Sequence, residues 1–484
     1  MLIVLLGILY GNALWSDAGP VATEGVMDLA GDDFSSVKLR GEWEFYWQQL
    51  LTPEDFASQR VPRAEHFMDL PRSWNGYVWE GQTLSGEGYA TFRLNIRLDP
   101  QDVDRHFAFW MPIIFNSYKM WINGELLAEA GTVGIDQDSA VPSIATRFIA
   151  FKPATDQVEI VIQAANFHHM RGGITRHIEF GDYQEVWKKR VTKYTVEIFI
   201  AASLFVIGIY HLLLYAQRRK DKAPLYFGLF TVGWFVRSLV VGELPLTQVF
   251  PQFPWELQLK LEYLVVYLGL FIFTMYFYHL FKEETPYWFR VASGVLAAAF
   301  SLLVVVAPAK VFTRTLTAYE MVIAGHVAYF LYALLKAAKR RKEGAVVFLI
   351  FSSISALMVI NDFLYYSGLV LIGSFSVFGM FIFTFAQMYL LSSRFAKAEA
   401  EVERSAHQLA EANEQLVELN KNLEQKVLER TRELKMANER LSQAYDRLLR
   451  AEEGRKKLLS YISHDLKAPL STMLGYVEAV QDNI

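Results

Sequence analysis

Cysteine is absent from all 484 residues, which excludes disulfides, thiol nucleophiles, thiolate zinc sites and iron–sulfur clusters together. Any exported part of the chain must therefore be held by packing alone. A dominant charge is missing too: 47 Lys and Arg stand against 51 Asp and Glu, a net charge of -4. That balance argues against a dedicated nucleic-acid binder, whose affinity would come from neutralising phosphates. Charged residues make up only 20%, against 53% hydrophobic and 15% aromatic, so the chain is neither a disordered solvating polymer nor an ordinary soluble enzyme. Its length suits about three folding units at roughly 150 residues each, and the composition favours a membrane protein.

No Lys or Arg precedes the apolar run Leu2 to Leu9, yet Gly11 and Ala13 follow it with the spacing of a signal-peptidase site, so residues 1–16 are expected to be a signal peptide. Over 24–187 the pattern changes to short runs of alternating polarity, as in WEFYW, YATFRLNIRL, YKMWINGELL and QVEIVIQAA, the signature of antiparallel strands. Asn123-Gly124 predicts a two-residue hairpin, because both central positions of a type I′ turn need positive φ. About 160 residues with this spacing suit a β-sandwich or jelly roll.

Long apolar windows fill 191–394: Lys193–Tyr215, Leu225–Val241, Lys260–Phe281, Phe289–Ala307, Thr315–Leu335, Ala345–Tyr365 and Leu371–Leu391. Most approach the roughly 20 residues that cross a bilayer, so seven transmembrane helices are expected. Arg218, Arg219, Lys220 and Lys222 in the first loop, and Lys336, Lys339, Arg340, Arg341 and Lys342 in the fifth, place those loops in the cytoplasm. The sandwich is then outside and the C-terminus inside. The cluster Lys188, Lys189 and Arg190 runs against this rule, although an exported domain with its own signal would fix the topology first.

From 395 to 457 a seven-residue repeat takes over. Val402, Leu409, Leu416, Leu423, Ala437, Ala444 and Leu458 fall at d, and Asn413, Asn420, Val427, Leu434, Leu441, Leu448 and Ile462 at a. This predicts a parallel dimeric coiled coil whose Asn pair fixes the register at some cost in stability, with Arg430 as an imperfection at d. A helix over 395–463 would extend about 100 Å at 1.5 Å per residue. It leads into LLSYISHDLKAPLSTMLGYVEAV, where an apolar stripe continues at helical spacing through 458–484. On that helix the imidazole of His464 can act as a nucleophile towards a phosphoryl group if a base holds the proton of its other nitrogen, and Asp465 is placed to be that base. Pro469 removes a backbone hydrogen bond and is expected to bend the helix.

The stretch SHDLKAPLS resembles the H-box of the dimerisation and phosphotransfer domain of sensor histidine kinases. The resemblance implies that His464 is autophosphorylated, that Asp465 assists proton transfer, that Lys467 stands at a basic position of the motif, and that Pro469 marks a helix bend. It also implies ATP and magnesium held by a separate domain with an Asn box and glycine-rich boxes, so neither is expected on this chain, which reads as truncated within its phosphoacceptor domain. Upstream, an exported sandwich, seven hydrophobic segments and a signalling output together resemble the bacterial seven-transmembrane receptors with diverse intracellular signalling modules. GEWEFYW, GYATFRL and WINGE are similar to galactose-binding-like jelly rolls of large glycosidases, which implies a carbohydrate as a candidate ligand.

Trp74, Asn75, Arg93 and Arg171 are the candidate ligand contacts, with Trp43, Trp47, Trp79, Trp110, Trp121 and Asn116 behind them; aromatic residues at alternating strand positions are more often core. His168, His169 and His177 lack the carboxylate pattern of a metal site, and none is expected. Within the membrane, Glu197, Arg237, Glu320 and Asp362 fall near the outer ends of their segments and suggest a charged relay layer, in which Arg237 would pair with Asp362, Glu320 or Glu197. Interfacial snorkelling is the competing account. The expectation is a multi-pass receptor of the bacterial cell membrane: a homodimer in which an external ligand alters the packing around His464, with phosphate passing on to a cytoplasmic response regulator and no part for nucleic acid. The alternative is a non-catalytic, membrane-bound carbohydrate-binding receptor with a coiled-coil spacer. A transporter or a glycosidase fits less well, since the segments show no obvious inverted repeat and no catalytic barrel follows the sandwich.

Overall fold

The computed structural model of the protein describes residues 19–31, 34–58, 64–114, 116–342, 344–366 and 375–481. The expected signal peptide lies outside them. The chain divides into two compact units, Met1–Leu390 and Leu391–Ile484.

Alternation of apolar and polar side chains builds a two-sheet sandwich in the first part of unit one. The larger sheet contains β1 (Val26–Asp28), β3 (Gly41–Trp47), β4 (Phe67–Leu70), β5 (Gly88–Arg97), β7 (Ser117–Ile122), β8 (Glu125–Ala130) and β10 (Gln157–Asn166). Its order is β8-β7-β10-β5-β3-β4, with β1 parallel to β5. The smaller sheet pairs β2 (Ser36–Leu39), β6 (Phe107–Met111), β9 (Arg147–Phe151) and β11 (Ile178–Asp182) in the order β9-β6-β11-β2. Along β5, Ala90, Phe92, Leu94 and Ile96 point into the space between the sheets, where they meet Trp43 and Phe45 of β3 and Phe107, Phe109 and Phe180 of the smaller sheet. Alternate residues such as Arg93 face the other way. The β7–β8 hairpin closes through Asn123 (φ 49°) and Gly124 (φ 85°), the two positive values the Asn-Gly pair predicts.

Strand β11 passes directly into helix α1 (Tyr183–Gln217). Asp182 ends the strand and also caps the helix, accepting the N–H groups of Gln184 at 2.9 Å and Glu185 at 3.4 Å. The expected boundary between sandwich and helices at 187–191 is therefore corrected, since Lys188, Lys189 and Arg190 already lie within α1. The other long helices are α2 (Ala223–Val240), α3 (Trp255–Leu280), α4 (Tyr287–Val306), α5 (Leu316–Lys339), α6 (Ala345–Tyr366) and α7 (Ser376–Gln481). Six helical stretches among the described residues are long and apolar enough to cross a membrane. The seventh expected window, Leu371–Leu391, lies partly outside the described residues and overlaps the start of α7. There Met380, Phe381 and Phe383 are buried among Phe227, Tyr276, Phe277, Phe330 and Phe348 of the surrounding helices.

Unit two is helical as far as Gln481, and every residue from Glu399 to Gln481 is exposed in the single chain, including the a and d positions of the heptads. Pro469 lies inside this helix and does not end it. Lacking an N–H, it leaves the carbonyl of Asp465, four residues back, without its helical donor.

Phe92 has no exposed surface and packs 5.2 Å from Phe45 and 6.4 Å from Trp74, ring to ring. Phe92→Ala is expected to cost about 3–5 kcal/mol of sandwich stability, read as a lower denaturation midpoint of the purified chain.

Candidate functional site

The junction of the sandwich with the helices gathers a set of charged side chains around the buried Glu243. The first turns of α1 lie on the smaller sheet, with Tyr183 and Trp187 ring to ring with Phe148 at 5.5 and 5.3 Å. This placement gives the basic cluster its partners. Lys189 reaches Glu179 at 2.5 Å and also the Ser36 hydroxyl. Arg190 and Lys193 converge on Glu243, whose side chain is 2% exposed, at 3.5 and 3.0 Å. The backbone N–H of Glu243 in turn donates to Glu197 Oε2 at 2.9 Å. The cations that run against the loop-charge rule are thus absorbed in pairs with acids.

Arg237 pairs with Glu262 of α3 at 3.6 Å and lies over the Trp234 ring. The expected pairing with Asp362, Glu320 or Glu197 is corrected: the partner is Glu262, on the helix α3 that packs against α2. Asp362 instead accepts the backbone N–H of Phe375 at 2.5 Å. Glu320 lies within electrostatic reach of Arg171, and Arg176 within reach of Glu197 and Glu262, so two arginines of one sandwich loop face acids of the helices.

Further contacts tie the sandwich to the loop between α4 and α5. Glu87 holds Lys310 at 2.8 Å and Arg314 at 3.6 Å, and the N–H of Met170 donates to Thr313 Oγ1 at 3.2 Å. Beneath them Ile113 and Ile144 join a cluster with Leu244, Tyr263, Phe312 and Tyr319. Sequence reasoning missed Glu243, Glu262 and Glu87 because each is a lone acid at a segment edge or in a loop. The available signal was the surplus of cations at 188–193, which demanded acids somewhere near.

The candidate ligand contacts mostly prove structural. Trp74 is fully buried, its indole N–H donating to the Gly86 carbonyl at 3.1 Å, so it offers no platform for a sugar. Asn75 is used within the fold: its Nδ2 donates to the Met170 carbonyl and its Oδ1 accepts from Gly172 N. Arg93 is engaged by Glu44 and Glu159 and stacks over Phe56. Only Trp74, Asn75 and Arg171 are brought together, around the loop at 168–173. His168 is bound to the carbonyls of Gln137 and Ala140, and among the described residues no three His, Asp or Glu side chains gather as a metal site requires. Burial holds the imidazole of His169 down to about 4, against a weaker opposing effect of its hydrogen bond to the Arg171 carbonyl.

In unit two, His464 Nδ1 stands 3.6 Å from Asp465 Oδ1, with both side chains more than four-fifths exposed. That distance is an electrostatic contact, longer than a hydrogen bond. Lys467 lies exposed on the same helix, and Pro469 follows two residues later.

Residues 193–397 match the family described as 7TM diverse intracellular signalling. The match covers the helices and makes this region a transmembrane sensor domain associated with intracellular signalling, in a multi-pass membrane protein. No curated protein matches the chain. Among solved structures, the chain is similar to a GH2 β-galacturonidase from Eisenbergiella tayi (10% identity, TM-score 0.22, 30% of this chain and 24% of that one). It is similar also to β-glucuronidases of Ruminococcus gnavus (12%, 0.23, 30% and 28%) and Faecalibacterium prausnitzii (12%, 0.24, 30% and 31%). The chain thus spans about a quarter to a third of the length of these enzymes.

Two outcomes are expected. Removing one partner of a buried ion pair strands the other charge and costs about 3–5 kcal/mol, whereas replacing both by apolar residues is close to neutral. Arg237→Leu should therefore lower the melting temperature of the detergent-solubilised chain, and Arg237→Leu with Glu262→Leu should restore most of it. Separately, His169 stays neutral in the folded sandwich down to about pH 4, while the unfolded chain takes up the proton near 6.5. Stability is then complete above about pH 6.5 and falls by about 3 kcal/mol as pH drops to 4. His169→Gln should flatten this part of the curve of denaturation midpoint against pH.

Proposed function

We propose that the chain is the receptor and phosphoacceptor part of a sensor histidine kinase. The reading is carried by one observation: within SHDLKAPLS, His464 stands exposed on a helix with the Asp465 carboxylate 3.6 Å from its Nδ1. An imidazole held this way presents Nε2 as the nucleophile while the carboxylate favours the proton on Nδ1. Attack of Nε2 on the γ-phosphorus of ATP forms the N–P bond. The bond from that phosphorus to the β–γ bridging oxygen breaks, and ADP leaves with the electron pair. Asp465 stabilises the positive imidazole so formed. Magnesium and ATP would be presented by a nucleotide-binding domain, and transfer to an aspartate of a response regulator regenerates the free imidazole.

The exposed heptad stripe supports a homodimer through residues 395–457, because leucine and valine at a and d lose water when a second copy covers them. The basic loops at 218–222 and 336–342 support a cytoplasmic location for the helix ends away from the sandwich, with the sandwich outside. A ligand need only bind one of two packings of the sandwich on the helices more tightly to shift the population that His464 experiences. The pairs made by Glu87 and Glu243 are the contacts through which such a shift would pass.

The test incubates the membrane-reconstituted chain with radiolabelled ATP and an added histidine-kinase nucleotide-binding domain. Acid-labile phosphate is expected on the wild type and abolished in His464→Gln, and Asp465→Asn should slow labelling by about 10²-fold. Label persisting in His464→Gln would refute the assignment. So would an unlabelled wild type alongside a phosphorylated control acceptor.

A further inference from the structure

We propose that a site between α2, α3 and α4, at the end of the helices away from the sandwich, binds the phosphate of an anionic phospholipid headgroup, with Arg290 as its main contact. Arg290 lies in the first turn of α4, its guanidinium over the ring of Tyr278 at 3.8 Å and near that of Tyr287 at 5.5 Å. Its Nε is buried and has no hydrogen-bond partner. Among the described residues no carboxylate pairs with it: the nearby acids Glu283 and Glu284 are taken by Arg340 and Lys342. A buried guanidinium N–H without an acceptor is costly, and a phosphate oxygen supplies both the acceptor and the opposite charge.

The surroundings reinforce this charge. The His279 ring lies within electrostatic reach of Lys222, Lys282 and Arg290, against the single carboxylate of Asp221. It stacks on Tyr226 at 5.4 Å. Three cations from three separate elements thus lie within electrostatic range of one aromatic residue at this end of the helices.

A second feature selects a lipid over a soluble anion. Tyr287 and Trp288 are 73% and 63% exposed at the very end of an apolar helix, the depth at which aromatic rings sit among headgroups. Below them Val291, Val295, Leu302 and Val306 are exposed as well. At 3.6 residues per turn, they fall with Trp288 on one stripe. Arg290 lies more than a quarter turn around the helix from that stripe, towards α3, so the stripe is the general lipid face of α4 and the link from the site to the headgroup layer is Tyr287, whose ring lies 5.5 Å from the guanidinium.

The inference rests on the helices spanning a membrane and is independent of the phosphoacceptor assignment. The full chain, purified in neutral detergent, is offered equal amounts of phosphatidylglycerol and phosphatidylcholine, and retained lipids are counted by native mass spectrometry. Phosphatidylglycerol is expected to be retained about fivefold or more over phosphatidylcholine, the preference being lost in Arg290→Gln and reduced in Lys222→Gln with Lys282→Gln. Inorganic phosphate at millimolar concentration should not displace it. An unchanged preference in Arg290→Gln overturns the site, and so does displacement by inorganic phosphate, which would mark a soluble-anion site instead. If Arg290→Gln does not fold, an unchanged preference in the double lysine variant overturns the proposal equally. Failure of the membrane reading would show separately, as wild-type chain recovered from cells in the soluble fraction.

Discussion

Charge that enters the ends of apolar helices has to be neutralised there, and the junction between sandwich and helices is organised by that demand. Arg190 and Lys193 sit on α1 where the hydrocarbon-length apolar run begins, and Glu243 is the acid that both share. Because Glu243 lies in the loop after α2, the pairing fixes the top of α2 against α1. Its backbone N–H is bound by Glu197, so side chain and main chain of one residue are committed to the same neighbour. Coulomb attraction across a few ångströms is several times stronger at a partly buried site than in water, which lets three or four such contacts hold two elements of different architecture together.

The opposite ends of the helices solve the same problem in another way. There Glu284, with no exposed side-chain surface, is gripped by Arg340 and Lys342, while the Tyr329 hydroxyl donates to its carbonyl at 2.7 Å. This fastens the connection after α3 to the connection after α5. Between the two charged ends half of the buried cluster is aromatic, with Phe227, Phe273, Phe277, Phe330, Phe348 and Phe383 in successive ring contacts among aliphatic side chains such as Ile200, Leu204 and Leu334. Aromatic interiors of this kind give up little when rings slide by a fraction of an ångström, provided that offset or edge contacts are kept. Two polar clamps separated by an aromatic filling is a construction suited to passing a displacement from one end to the other.

Much of this was legible in the sequence where a local rule applied. Alternation announced the strands of the sandwich, Asn123-Gly124 the hairpin, and long apolar windows the helices α1 to α6. The polar layer was visible only in outline: Glu197, Arg237 and Glu320 could be placed by depth, but depth does not choose partners, and Arg237 chose Glu262. Trp74 and Arg93 misled for a related reason. A tryptophan in a strand-rich segment and an arginine among alternating residues look alike whether they face ligand, core or a neighbouring strand. Only the register, which sets Arg93 beside Glu44 on the adjacent strand, decides among these. Conversely, the side-by-side placement of His464 and Asp465 needed no tertiary information, because neighbours on a single helix are fixed by the chain itself.

Asp182 belongs to a strand and caps a helix, leaving no residue to serve as a swivel between them. A flexible linker would absorb small rotations of the sandwich, whereas here strand and helix share a residue. Helical geometry turns a one-residue change of register at that point into a rotation of about 100° and a rise of about 1.5 Å. The last strand of the sandwich therefore meets α1 as a crank meets a shaft: what little movement the smaller sheet is allowed must appear as twist or piston motion of the first helix.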